Sequence, residues 1–295
     1  MNHSSESPLR SGTITAAKGQ LESDCKWVAH RSILAYGVRI GIRTNQPRFL
    51  NRILQHAPPL WKPSSSSAVD RQFSFHFAGG GFLKSRRLRH LLLDDFETPT
   101  ETTSLEDLLE VFEIRAKMYV AEMAPRLVFV HAAAVGWHGK AIIVPGRTMS
   151  GKTSLAAALV RAGATYYSDE YAVLDMLGRV HPYPKPLAIR TDGGGKQEEC
   201  PVENIGGVTG TRPLPIGLVV VTRFKAGASW RPSRLSRLSP GPAALELLNN
   251  TIPARRKPQA VIAALERAVS GAECLKGVRG EAGETATGIL ERMQF

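Results

Sequence analysis

Residues 146–153 read Gly146-Arg147-Thr148-Met149-Ser150-Gly151-Lys152-Thr153, a complete G-x-x-x-x-G-K-[ST] pattern. Each position has a chemical task open to it. The glycines let the backbone curl tightly, so that several N–H groups point into one concavity that suits an anion. The Lys152 ammonium can reach β- and γ-phosphate oxygens, and the Thr153 hydroxyl can take a place on Mg²⁺. Gly146 through Ser154 are therefore the candidate ATP-binding residues, and ATP and Mg²⁺ the expected cofactors. The alternative is an ordinary strand–turn–helix with a solvated lysine.

A second cluster follows. Asp169 stands seventeen residues beyond Lys152, and with Glu170 ends the strand expected over Ala164–Ser168. Phosphoryl transfer needs acids both for the metal and for the attacking hydroxyl. Asp169 and Glu170 are the candidate catalytic pair, and with Thr153 the candidate metal ligands. Both can face one site only if the strand turns there, because neighbouring strand residues point to opposite faces. His131 lies fifteen residues before Gly146 in an apolar strand. Read alone it suits a core histidine. His138, His181 and Asp175 read as turn or surface residues.

These residues need a frame. Ala141–Val144 reads as a buried strand leading into the loop, and Ser154–Val160 as a helix leaving it, with Gly163 as its C-cap. Leu127–Val135 and Ala141–Val144 flank Gly136-Trp137-His138-Gly139, a hairpin signal. The acid pair is expected at the end of a strand beside the loop strand, where carboxyl ends of strands form a ligand crevice. Strands are also expected at Tyr171–Leu174 and Val180–Tyr183, a mobile glycine-rich loop over 191–212, and a last strong strand at Leu218–Thr222. Helices are expected near Ala243–Asn249 and Lys257–Val269.

The N-terminal part reads differently. Residues 1–24 are polar and read as a disordered tail. Residues 25–100 read as a small α+β domain, with strands at Val38–Arg43 and Arg71–Phe77 and a helix over Pro47–Gln55. Pro58-Pro59 and Pro63–Ser67 mark a loop, and Gly79–Gly81 a strand end. Phe73, Phe75 and Phe77 share one face, which suits a core. Ser104 with Asp107 three residues on opens a linking helix within 101–125, stopped by Pro125. Residues 126–295 read as a kinase domain around the loop.

The 295 residues carry a net charge of +12, a pI near 9.9 and three widely spaced cysteines. Without a C-x-x-C pair there is no zinc or disulfide framework to expect, which fits a reducing cytoplasm. No apolar run approaches a membrane span. The basic clusters Lys84–Arg89 and Arg231–Arg237 lack interleaved aromatics, which argues against nucleic acid. An acidic protein partner or anionic substrate fits the charge.

The stretch from Val130-His131-Ala132 through Gly146–Thr153 to Ser168-Asp169-Glu170 resembles the C-terminal domain of the HPr kinase/phosphorylase family. Tyr166-Tyr167-Ser168-Asp169-Glu170-Tyr171 resembles HPr-kinase-related bacterial proteins in particular. The resemblance covers roughly residues 126–225. It implies an α/β fold of the phosphoenolpyruvate-carboxykinase-like type, ATP and Mg²⁺ at the loop, and transfer to a serine hydroxyl of a protein or peptide. It implies a catalytic role for Asp169 and places His131 near the active centre. Glu170 stands where the family has a second aspartate. The family's Glu-Ile-Arg-Gly signature is replaced by Leu187-Ala188-Ile189-Arg190-Thr191, so a kinase without the reverse, phosphorolytic reaction is expected. HPr-like acceptors stay open, as does a homo-oligomer. A small-molecule kinase and a non-catalytic ATP-binding regulator are the rival readings.

Overall fold

The computed structural model describes residues 25–78, 89–95, 97–190 and 197–293. The expected tail at 1–24 and strand end at Gly79–Gly81 lie outside them. The chain is mixed α/β and divides into two compact units, Met1–Val120 and Ala121–Phe295. No helix among the described residues is long and apolar enough to cross a membrane.

In the first unit, β1 (Ala29–Ala35) and β2 (Val38–Thr44) form a hairpin. Tyr36 and Gly37, both at positive φ, make the two-residue turn that right-twisted strands favour. A 3₁₀ turn leads into α1 (Leu50–Gln55). Then come β3 (Lys62–Pro63), β4 (Arg71–His76), β5 (His90–Asp94) and β6 (Thr100–Thr102). The sheet order is β3-β1-β2-β4-β5-β6, with β2 and β4 parallel. Thus Lys62–Pro63, expected in a loop, pairs with β1. Phe73, Phe75 and Phe77 are fully buried, and Phe112 meets the first two edge-on. Buried Asp94 accepts from Arg71 and Arg115 at 2.6 and 2.8 Å.

Helix α2 (Leu105–Met123) begins as its sequence directs, since the N–H of Asp107 donates to Ser104 Oγ at 3.1 Å. The unit boundary falls inside this helix.

The second unit alternates strand and helix. β7 (Leu127–Trp137) and β8 (Lys140–Pro145) pair as the expected hairpin. α3 (Lys152–Arg161) ends on two bonds, Gly163 N–H to Val160 O and Ala164 N–H to Leu159 O, which is the helix stop a glycine makes. There follow β9 (Thr165–Ser168), β10 (Tyr171–Asp175), β11 (Val180–His181), β12 (Leu187–Arg190), β13 (Gln197–Cys200) and β14 (Ile216–Phe224). β15 (Ser236–Arg237), α4 (Pro240–Leu248), α5 (Pro258–Ser270), β16 (Glu273–Arg279) and α6 (Ala282–Arg292) complete it. The main sheet runs β11-β10-β7-β8-β14-β16-β15, with β9 also on β7.

Strand alternation explains the layers. Val128, Val130, Ala132, Ala141, Ile143 and Val219 share one core with α4 and α5. Their neighbours Ala133, Val135, Ile142, Val144, Leu218 and Val220 share another with α3 and α6. Every strand at the centre is apolar on both faces because both are covered.

Three expectations change. The strand before the acid pair does not lie beside β8; β7 separates them. Leu218–Thr222 is not the last strand, because β16 extends the sheet parallel to it. Of 191–212, residues 197–212 hold β13, a 3₁₀ turn at Val202–Ile205 and backbone bonds to Tyr166; residues 191–196 lie outside the description. Gly210 is there for packing, since a Cβ would sit 2.2 Å from the Tyr167 ring.

Candidate functional site

The segment Gly146–Gly151 joins the C-terminal end of β8 to α3. Met149 has φ +70° and Gly151 φ +78°, both left-handed, with Ser150 at negative φ between them. Alternating hands turn successive N–H groups to one side, which makes an anion-binding nest. For Met149, a residue with a Cβ and 68% exposed, this conformation is strained. No side chain caps α3 and no acid stands in its first turn. Its leading N–H groups and the positive end of its dipole are therefore left to an anion.

Lys152 is buried, and its ammonium donates to Arg147 O at 2.8 Å. Burial pushes its pKa down, while Asp169 and Glu170 pull it back up. Arg147, Thr148, Met149 and Ser154 are exposed, and Gly146 and Ser150 half-buried.

The acid pair arrives by a route the sequence did not show. β9 pairs with Ala134–Gly136 of β7, and β10 with Leu127–His131. The two strands run end to end along one edge of β7, and the chain bends between them at Asp169-Glu170. Ser168 Oγ holds the bend by accepting the N–H groups of Glu170 and Tyr171 at 3.1 and 2.9 Å. The turn needed for both acids is thus present. Asp169 is buried, and Thr153 Oγ1 donates to its Oδ2 at 2.7 Å. Tyr166 Oη lies 2.9 Å from Asp169 Oδ1 and 2.9 Å from Lys185 O. Burial raises the Asp169 pKa, and the bonds from Thr153 and Tyr166 counter the rise. Glu170 is half-buried, with Lys185 Nζ 3.9 Å from its Oε2.

His131 is placed between these parts. Its carbonyl accepts the Gly146 N–H at 3.2 Å, its N–H donates to Asn250 O at 2.7 Å, and it is opposite Tyr171 in the β7–β10 register. Its ring centroid is 6.0 Å from that of Tyr171. Asp175 ends β10 and holds the turn after it, accepting the N–H groups of Leu177 and Arg179 and pairing with His181. His138 is exposed in the β7–β8 turn. The side chain of Arg190 is outside the description.

Sequence reasoning missed Tyr166, Lys185 and Arg279. Arg279 ends β16 and is buried; its Nη2 donates to Ser150 O at 3.1 Å and Gly151 O at 3.0 Å. Its guanidinium lies over the Phe224 ring, 5.4 Å from the centroid. By fixing two loop carbonyls on the outside, Arg279 keeps the loop N–H groups turned inward. No motif announces it, as 128 residues separate it from Gly151.

Beside the loop, a cavity of about 700 Å³ lies between Gly146–Ser150, the end of β14 and the end of α4. Asp169 and Glu170 are not among the residues that line it.

Among the described residues no group of three His, Cys, Asp or Glu forms a metal cage. Thr153 and Asp169 offer two oxygen donors at one point, which suits Mg²⁺, an ion that keeps waters and substrate phosphates as its other ligands. No protein-family model matches the chain, and no curated protein matches it.

Proposed function

We propose that the chain is an ATP- and Mg²⁺-dependent kinase of the HPr-kinase-like type, in a phosphoenolpyruvate-carboxykinase-like domain. It transfers the γ-phosphoryl group to a serine hydroxyl of a protein or peptide. One observation carries this reading. Asp169, from the bend between β9 and β10, meets Thr153 in the first turn of α3 at 2.7 Å, with Lys152 beside it in sequence. A chance G-x-x-x-x-G-K-T turn has no reason to gather a buried carboxylate onto its threonine.

Bound Mg²⁺-ATP supplies the phosphoryl group and a cation that draws charge from it. In this reading the nest and the α3 N-terminus hold the phosphates. Lys152 leaves the Arg147 carbonyl for a phosphate oxygen. Thr153 and Asp169 hold the cation, and Asp169 or Glu170 orients the serine hydroxyl and receives its proton. Catalysis is then mostly positioning and charge stabilisation.

Labelled ATP tests this. Lys152→Ala should lower transfer by about 10³-fold. Asp169→Asn should keep ATP binding, read by calorimetry, and lose transfer. Transfer at the wild-type rate in both variants would remove the loop from the chemistry.

A further inference from the structure

We propose that the cavity beside the loop receives residues flanking the target serine, which itself lies at the acid pair, and that it selects acidic ones. The proposal rests on the kinase reading above and adds the substrate's charge.

Position comes first. The cavity shares Gly146, Arg147 and Ser150 with the loop, so an occupant touches the loop itself. About 700 Å³ lies within the range of small-ligand sites and admits a short peptide segment.

Charge comes second. Arg147 and Arg223 line the cavity, are exposed, and form no ion pair among the described residues. The lining carboxylate, Glu246, is already engaged by Lys276. The wall therefore presents two uncompensated guanidinium groups, which suit carboxylates bidentately. A neutral nucleobase makes no use of them.

The test uses the full chain with a non-hydrolysable ATP analogue and two fluorescent serine peptides, one flanked by glutamates and one by lysines. Anisotropy should show the glutamate peptide bound about tenfold more tightly. Arg223→Glu should erase or reverse that preference, with Arg223→Gln between. Arg223 is exposed at a strand end, so neither variant threatens the fold. Equal binding of the two peptides, or a preference that survives Arg223→Glu, overturns the proposal. ATP binding is read separately on the same samples. A wild-type chain that binds the acidic peptide but not ATP keeps the anion-binding cavity and loses the kinase reading. One that binds ATP without peptide preference keeps the kinase reading and loses the cavity.

Discussion

A buried guanidinium that forms no ion pair among the described residues needs a reason, and for Arg279 it is the loop. Burial lowers its pKa, the Glu281 charge counters that, and the carbonyls of Ser150, Gly151 and Gly280 accept its N–H groups. Arg279→Met keeps an aliphatic stem over Phe224 and removes the donors. Gly151 O keeps the Leu155 N–H, but Ser150 O loses its partner; an unsatisfied carbonyl costs about 1–3 kcal/mol, and the loop relaxes to recover it. We expect the ATP dissociation constant to rise about tenfold or more, since about 1.4 kcal/mol is tenfold. Calorimetry measures it, and an unchanged affinity with a folded protein would show the loop holding its own shape. The contrast with Lys152 and Thr153 is instructive. Those two are legible because neighbours in sequence define their task. Arg279, Tyr166 and Lys185 act through contacts made only after the sheet has assembled, so their residue types carry no local signal.

At the scale of elements, β7, β8, α3 and β14 could be read directly, because apolar runs and a glycine stop are local physics. Strand order could not. β9 and β10 both take the edge of β7 away from β8, and nothing in their own residues says which edge they join. β16 and α6 were missed for another reason. Glu-Cys-Leu-Lys-Gly-Val-Arg shows no clean alternation, and Ala282–Arg292 carries two glycines and two threonines, weak helix formers. Tertiary contacts supply the difference. Glu273, at the start of β16, receives Arg292 from the end of α6 at 2.6 Å and Arg237 from β15 at 2.6 Å. The Arg292 hydrogen bonds hold the Glu273 carboxyl below its ordinary 4.5. A depressed carboxylate stabilises the fold above its unfolded value and loses that contribution as pH falls through the folded one. Glu273→Gln should therefore cost about 1 kcal/mol near neutral pH. The cost should shrink as pH falls below 4.5 and vanish once pH is below the lowered folded value, leaving wild type and variant alike. Urea denaturation at both pH values checks it; a gap that persists in acid would assign Glu273 a packing role instead.

At the scale of the whole molecule, the chain is two units, and every residue of the candidate site belongs to the second. That unit carries its own cores on both faces of the main sheet, from α3 and α6 on one side and α4 and α5 on the other. The boundary inside α2 is the delicate point. Residues just past it are tied to α5 and the turn before it: Arg256 pairs with Glu122 at 2.6 Å, and Lys257 Nζ donates to the carbonyls of Ala124 and Leu127. Burial lowers the Lys257 pKa, so these carbonyls are its compensation for leaving water. A chain cut at 121 would break a helix in mid-run and fray that anchorage. A chain beginning at Ser104 keeps the capped helix whole. We expect residues 104–295 to bind Mg²⁺-ATP with the affinity of the full chain, because the candidate site lies wholly in the second unit. Calorimetry on the two chains decides. A loss of more than about tenfold, some 1.4 kcal/mol, would mean that nucleotide binding draws on residues before 104. Equal affinity would leave residues before 104 free for recognition or regulation, tasks that do not touch the loop.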